Sequence, residues 1–182
     1  MSLFTLGGLV AVPASSRIDL LAAPTRDALE DADLLDAVGV VEIDPALSDT
    51  ATTQHEFGLS MDTLANCVVV AGKREGEERI AACLVLATCR ADINNVVKRS
   101  LDVRKASFLD LERAVELSGM EYGGITPIGL PEGWPILIDP RVVTTELVVI
   151  GSGVRRSKLL VPGHVLPRIR GSRIVDGLGL VV

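Results

Sequence analysis

Gly123-Gly124-Ile125-Thr126-Pro127-Ile128-Gly129 is the stretch that decides how this chain is read. Glycine reaches positive φ and lets a ligand approach main-chain N–H groups closely. Proline fixes φ and removes one donor, so the loop holds one shape. Such a segment can grip a small polar group with backbone atoms alone. An ordinary tight turn has the same composition.

Working outward, Asn66-Cys67-Val68-Val69-Val70 reads as a buried strand, Cys67–Ala71. Gly72–Glu78 reads as a charged hairpin turn, and Arg79–Thr88 as the returning strand. Asp92–Leu101 has Ile93, Val96, Val97 and Leu101 on one side, the period of a helix. Ser107-x-x-Asp110 resembles a capping box that opens a second helix, closed by Gly119. After the glycine loop come strands at Ile136–Asp139, Leu147–Ile150 and Lys158–Val161, with Asp139 a turn-former at a strand end.

Upstream, Thr25 reads as the N-cap of a helix with Ala28, Ala32 and Leu35 on its apolar face, and Gly39 as its stop. Val40–Ile43 is a short strand. Residues 4–12 alternate weakly, as an edge strand does, and residues 44–58 form a polar loop or short helix. Strands joined by short links, with helices in pairs, predict an α+β fold with a mixed, largely antiparallel sheet flanked by helices.

The order of these elements, with Gly-Gly-Ile-Thr-Pro-Ile-Gly before Pro-Ile-Leu-Ile-Asp and Val148-Val149-Ile150-Gly151-Ser152-Gly153, resembles the YbaK/ProX family of aminoacyl-tRNA deacylases. This is the editing-domain family of bacterial prolyl-tRNA synthetases. The resemblance covers residues 25–168, leaving residues 1–24 as an extension and 169–182 as a tail. It implies a barrel-like curled sheet. It also implies a trans-editing deacylase that hydrolyses the ester of mischarged tRNA, without a cofactor or metal, in the cytoplasm. The implied partners are the aminoacyl-tRNA 3′ end and an aminoacyl-tRNA synthetase.

Carried over by motif, Gly123, Gly124 and Pro127 form the loop that holds the aminoacyl carbonyl or terminal ribose. Thr126 presents a hydroxyl, and Gly151, Ser152 and Gly153 line the amino-acid pocket. The family's lysine falls where this chain has Asn66. Asparagine is neutral and offers one donor group and one acceptor, so it cannot neutralise a phosphate. The alternative is therefore a catalytically silent module of the same fold that binds a tRNA end or a small ligand. Lys73, seven residues on in a charged turn, does not replace the lysine.

Bulk properties bound the rest. The 182 residues fit one domain. Aromatics are only 3%, which leaves an aliphatic core and no stacking platform for single-stranded bases. The pI near 4.9 argues against gripping a long nucleic acid. Charge is uneven: residues 1–66 hold 2 basic and 11 acidic side chains, whereas residues 151–182 hold 6 and 1. Arg155, Arg156 and Lys158, with Arg168, Arg170 and Arg173, are the candidate phosphate-facing set; a solvated surface is the plainer reading.

Cys67, Cys83 and Cys89 lack Cys-x-x-Cys spacing, so they read as buried free thiols rather than a zinc or disulfide framework. His55 and His164 have no i, i+4 partner, and no nucleophile elbow or phosphate loop occurs. No run approaches the ~20 apolar residues of a membrane span. The apolar opening Met1–Val10 lacks the basic region of a signal peptide. That segment and Gly177–Val182 can pack on their own core or on a second copy, as a homodimer.

Overall fold

The computed structural model describes residues 4–182; Met1, Ser2 and Leu3, the head of the apolar opening, lie outside the described residues. The chain begins with a hairpin, β1 (Phe4–Leu6) and β2 (Leu9–Pro13), and continues through α1 (Ala23–Asp31), β3 (Gly39–Glu42) and α2 (Thr50–Phe57). A long hairpin of β4 (Ala65–Arg74) and β5 (Glu77–Leu86) leads to β6 (Cys89–Ala91). A π turn at Ile93–Val97 runs into α3 (Lys98–Ser100), followed by β7 (Ala106–Phe108) and α4 (Leu111–Ser118). The last third holds β8 (Ile136–Ile138), α5 (Pro140–Thr144), β9 (Val148–Gly151), β10 (Ser157–Val161), β11 (Ser172–Ile174) and β12 (Gly179–Val181).

Two five-stranded sheets carry the architecture. One has the order β1-β2-β3-β10-β9 and the other β11-β8-β5-β4-β7, while β12 pairs with β6. All pairings are antiparallel except β5 with β8 and β8 with β11. A parallel bridge between Leu64 and Val149 joins the sheets. The result is a mixed α/β fold with a curled, half-barrel sheet, as the order of elements predicted.

The interior is aliphatic. The main cluster packs Leu29 and Leu34 against Leu84, Ile128, Ile138, Ile150 and Leu159. A second gathers Val70, Cys83, Val85 and Val97, and a third Phe4, Leu64, Val149 and Leu160. The C-terminal segment packs on its own core: Leu178 is fully buried, and the Gly179 N–H donates to Asp139 Oδ2 at 2.8 Å.

Local signals were misread where packing overrode them. Thr25 is not an N-cap. Helix α1 starts at Ala23 behind Ala22, and Thr25 is fully buried within it. Gly39 opens β3 rather than ending a helix, and a Cβ there would meet the Phe4 ring at 2.6 Å. Ser107 pairs with Ala71 in the sheet, so Asp110 caps α4 by accepting from the Arg113 N–H. The β4–β5 turn is tighter than predicted. Glu75 and Gly76 both have positive φ, as a two-residue type I′ hairpin requires. Strand β4 runs through Gly72 because Val103 and Lys105 crowd the place of a side chain.

Candidate functional site

The glycine loop is anchored by backbone. Gly153 N–H donates to the Gly124 carbonyl and Glu121 N–H to the Gly153 carbonyl, each at 2.8 Å. Glycine is required on both sides of this contact. A Cβ at Gly124 would meet the Val154 backbone at 2.7–2.9 Å, and one at Gly151 would meet the Gly124 carbonyl at 2.5 Å. Gly129, at φ +92°, lies where a Cβ would strike the Pro24 carbonyl. The loop is thus wedged between the start of α1 and the strand end at Gly151–Gly153.

Within the loop the residues differ in access. Gly124, Thr126 and Pro127 are buried, whereas Gly123 is exposed. The Gly124 N–H is committed to the Glu121 carbonyl at 2.9 Å. The Thr126 N–H faces the Met120 sulfur, and its hydroxyl is buried without a hydrogen-bond partner among the described residues. The Thr25 hydroxyl is in the same condition, beside Gly153. Ser152 is fully buried. Its hydroxyl bonds the Ser157 hydroxyl at 2.7 Å and the carbonyls of Val154 and Ser157.

Asn66 sits on β4, half-buried, where the strand leaves the bridge at Leu64. Its Oδ1 accepts from the Thr50 hydroxyl in the first turn of α2, at 2.7 Å. That bond uses the amide oxygen and leaves the NH₂ as the group to donate. Asn66, Val68, Val85 and Cys89 line a cavity of about 410 Å³, with Arg90, Phe108 and Leu180 also at its walls. Phe108 is 64% exposed, in a chain with few aromatics.

The six basic residues of the candidate phosphate set do not form one surface. Arg156 is exposed, reaches the Asp19 carbonyl, and lies 3.8 Å from Glu42. Arg155 bonds the carbonyls of Pro45 and Tyr122 and lies over the Tyr122 ring, 5.5 Å from its centroid. Lys158 is inside, 8% exposed, and its Nζ donates to the Ser48 carbonyl at 2.6 Å. Burial pushes its ammonium down to about 8; Arg155 adds to the shift and Asp49 opposes it. Arg168, Arg170 and Arg173 line a separate groove of about 770 Å³ against α1 and Pro131–Trp134.

One short turn connects these pieces. Ser48 accepts from Lys158, its hydroxyl lies 3.6 Å from where a Gly123 Cβ would stand, and Thr50 holds Asn66. Asp49 between them caps α2 by accepting from the Thr52 N–H at 3.0 Å. Residues far apart in sequence thus converge on Ser48–Thr50. The sequence reads there as a polar loop or short helix, and α2 is that helix; its N-cap pair, Asp49 with Thr50, is the one signal that marks the turn.

A family model for an aminoacyl-tRNA editing domain matches residues 44–169. The chain belongs to the aminoacyl-tRNA editing family. Solved structures agree on the fold. A protein called hypothetical protein APE2540 superposes with a TM-score of 0.75 at 16% identity, over 86% of this chain and 99% of that one. A candidate trans-editing enzyme for prolyl-tRNA synthetase gives 0.70 at 21% identity, over 85% and 94%.

Within this editing domain the matched segment runs from Asp44, just before the Ser48–Thr50 turn, to the end of the 3₁₀ turn after β10, so it contains every residue of the convergence. Among the described residues no group of three or more His, Cys, Asp or Glu side chains is placed to hold a metal ion. No helix among the described residues is long and apolar enough to cross a membrane.

Proposed function

We propose that this chain is a trans-editing deacylase that hydrolyses the ester between a wrong amino acid and the 3′ end of tRNA. The observation that carries this reading is the meeting of Asn66, Gly123 and Lys158 at the Ser48–Thr50 turn. In this reading the terminal nucleoside enters the cavity beside Asn66. The asparagine amide, fixed by Thr50, donates to a substrate hydroxyl or amino group. The exposed Gly123 offers its backbone to the ester, and Gly124, Pro127 and Gly151 keep that backbone in place. Thr126, Ser152 and Gly153 form the wall beside the amino-acid side chain. Arg155 and Arg156 face the acceptor stem, and a synthetase is the natural companion of such an activity.

The chemistry asked of the protein is modest. Holding water and ester together, and meeting developing negative charge with fixed donors, accounts for large rate effects without a protein nucleophile. Only the end of the tRNA needs to be gripped, which an acidic protein can do.

The test is deacylation of a panel of mischarged tRNAs by purified protein, beginning with Ala- and Cys-tRNA for proline. Hydrolysis that falls about 100-fold in Asn66→Ala supports the reading. A panel left at the spontaneous rate refutes it. Binding of the aminoacyl end without turnover would favour the second reading, a silent binding module, for which the neutral Asn66 speaks.

A further inference from the structure

A lysine is rarely buried without a partner charge. Lys158 is buried on an interior strand, and among the described residues no carboxylate lies within ion-pair distance of it. Its ammonium donates to the Ser48 carbonyl. An ammonium has three protons, and the bond to Ser48 uses one of them. Packing alone gives no reason for a charge at this point of β10, since a methionine would fill the space without the desolvation cost.

Strand register says which way the side chain goes. Lys158 is the direct cross-strand partner of Gly151 on β9 and Val41 on β3. Directly opposed residues project to the same face of a sheet. The face at Gly151 is the one covered by the Gly124 and Ile125 carbonyls. The lysine therefore rises beside the glycine loop and ends at Ser48, where Gly123 also approaches. The neighbouring strands contribute no charge there, as Val41 and Gly151 do not ionise. The charged groups that act on it are Asp49 at the cap of α2 and Arg155 in the turn before β10.

We propose that Lys158 is the cation of this site: held by the Ser48 carbonyl, it donates to the carbonyl oxygen of the aminoacyl ester. The inference rests on the deacylase reading above. It gives the site a positive charge from a different strand than the one that carries Asn66. Water attacks the ester carbon, a C–O bond forms, and the carbonyl electron pair moves to the oxygen facing Lys158. When that pair returns, the bond to the ribose oxygen breaks and that oxygen takes a proton. One water is consumed; the products are a free tRNA hydroxyl, an amino-acid carboxylate and one proton released to solvent. The lysine stays protonated throughout.

The experiment uses the full chain, Lys158→Met and Lys158→Arg. Turnover is measured on whichever mischarged tRNA the wild type hydrolyses, from about pH 6.5 to about pH 9.5, with an enzyme-free blank at each pH. Binding of a non-hydrolysable amide-linked aminoacyl-adenosine is measured in parallel. The expected result is a wild-type kcat that falls as pH rises through about 8, where the ammonium is lost. Lys158→Arg should remove that fall, because arginine stays charged. Lys158→Met should lose about 100- to 1000-fold in kcat.

Wild-type activity with an unchanged rate and pH profile in Lys158→Met would overturn the lysine and leave the deacylase standing. A wild type that neither hydrolyses the panel nor binds the amide overturns both. Should Lys158→Met fail to fold, the arginine variant decides: a persisting alkaline fall in it overturns the proposal.

Discussion

The Thr50 hydroxyl donates to Asn66 Oδ1 at 2.7 Å, tying the first turn of α2 to the middle of the candidate site. This bond fixes the rotation of the asparagine amide, which a free side chain would lose to entropy. Thr50→Val should lower kcat/KM about 10-fold and cost about 1 kcal/mol of stability, the usual worth of one hydrogen bond. Asn66→Lys removes the acceptor and places a second cation within the same site. Its expected effect is a rise in deacylation that does not depend on Thr50, read from the Thr50→Val/Asn66→Lys double variant. Equal sensitivity to Thr50→Val in both backgrounds would show that Thr50 acts through something other than Asn66.

The glycines at 124 and 151 are a packing requirement before they are anything else. A Cβ at either place would press on backbone atoms at 2.5–3.0 Å, and backbone cannot step aside as a side-chain tip can. Gly124→Ala and Gly151→Ala should each cost about 1–3 kcal/mol in a urea titration, as overpacking does. Gly76→Ala, in open space but at φ +87°, should cost less than either, through backbone strain alone. Loss of turnover in the first two variants therefore speaks for the shape of the loop, not for a chemical role.

Asp139 is where acid should act on the C-terminal segment. Its carboxylate is almost fully covered and accepts from the Arg141 side chain, the Arg141 N–H and the Gly179 N–H. Burial alone would raise its pKa, but these hydrogen bonds outweigh burial and hold the carboxyl below the usual range. A depressed folded pKa contributes stability that is present above the unfolded value, near 3.9, and is lost as pH falls through the folded one. Asp139→Asn should cost about 2–3 kcal/mol at neutral pH. The gap between the two proteins in thermal unfolding should then close as pH falls below the usual carboxylate range. A constant gap across that range would mean the charge is irrelevant and only shape matters.

Cys83 offers a check on the central sheet. It is fully buried between strands, and burial pushes its thiol up to about 12. The thiolate is the reactive form. Iodoacetamide at pH 8, followed by peptide mass analysis, should leave Cys83 unlabelled in folded protein and label it in urea. Rapid native labelling would place β5 nearer the surface than this fold puts it.

The frame of the fold was legible because Cys67–Val70, Ile80–Leu86 and Leu159–Val161 are short apolar runs rich in Val, Ile and Leu and bounded by turn signals, as buried strands are. The glycine loop was legible because backbone-to-backbone contact excludes other residues, and its context carried the family. The helix starts were less so. Thr25 and Ser107 both have capping chemistry, yet one faces Gly153 inside the protein and the other is drawn into a strand pair with Ala71. Lys158 was grouped with Arg155 and Arg156 by its charge, because linear sequence does not give strand phase. On β10 both faces are covered, so Lys158 is buried along with every other residue of the strand. The Ser48–Thr50 turn was invisible for the same reason, since its importance lies in what reaches it from β4, β10 and the glycine loop.

Thr25 and Thr126 provide the sharpest separation of structure from function. Each hydroxyl is buried without a partner, a condition that costs about 1–3 kcal/mol. If the hydroxyls serve folding only, valine, close in shape and lacking the polar group, should leave stability unchanged or raise it by about 1 kcal/mol at each place. The deacylase reading adds a second expectation for Thr126 alone, since it stands in the loop that faces the amino acid. Thr126→Val should keep or raise thermal stability while changing the ratio of rates between two amino acids about 10-fold. Thr25→Val should match it in stability and leave that ratio alone. Identical rate ratios in both variants would remove Thr126 from the amino-acid wall and leave it a strained piece of the scaffold.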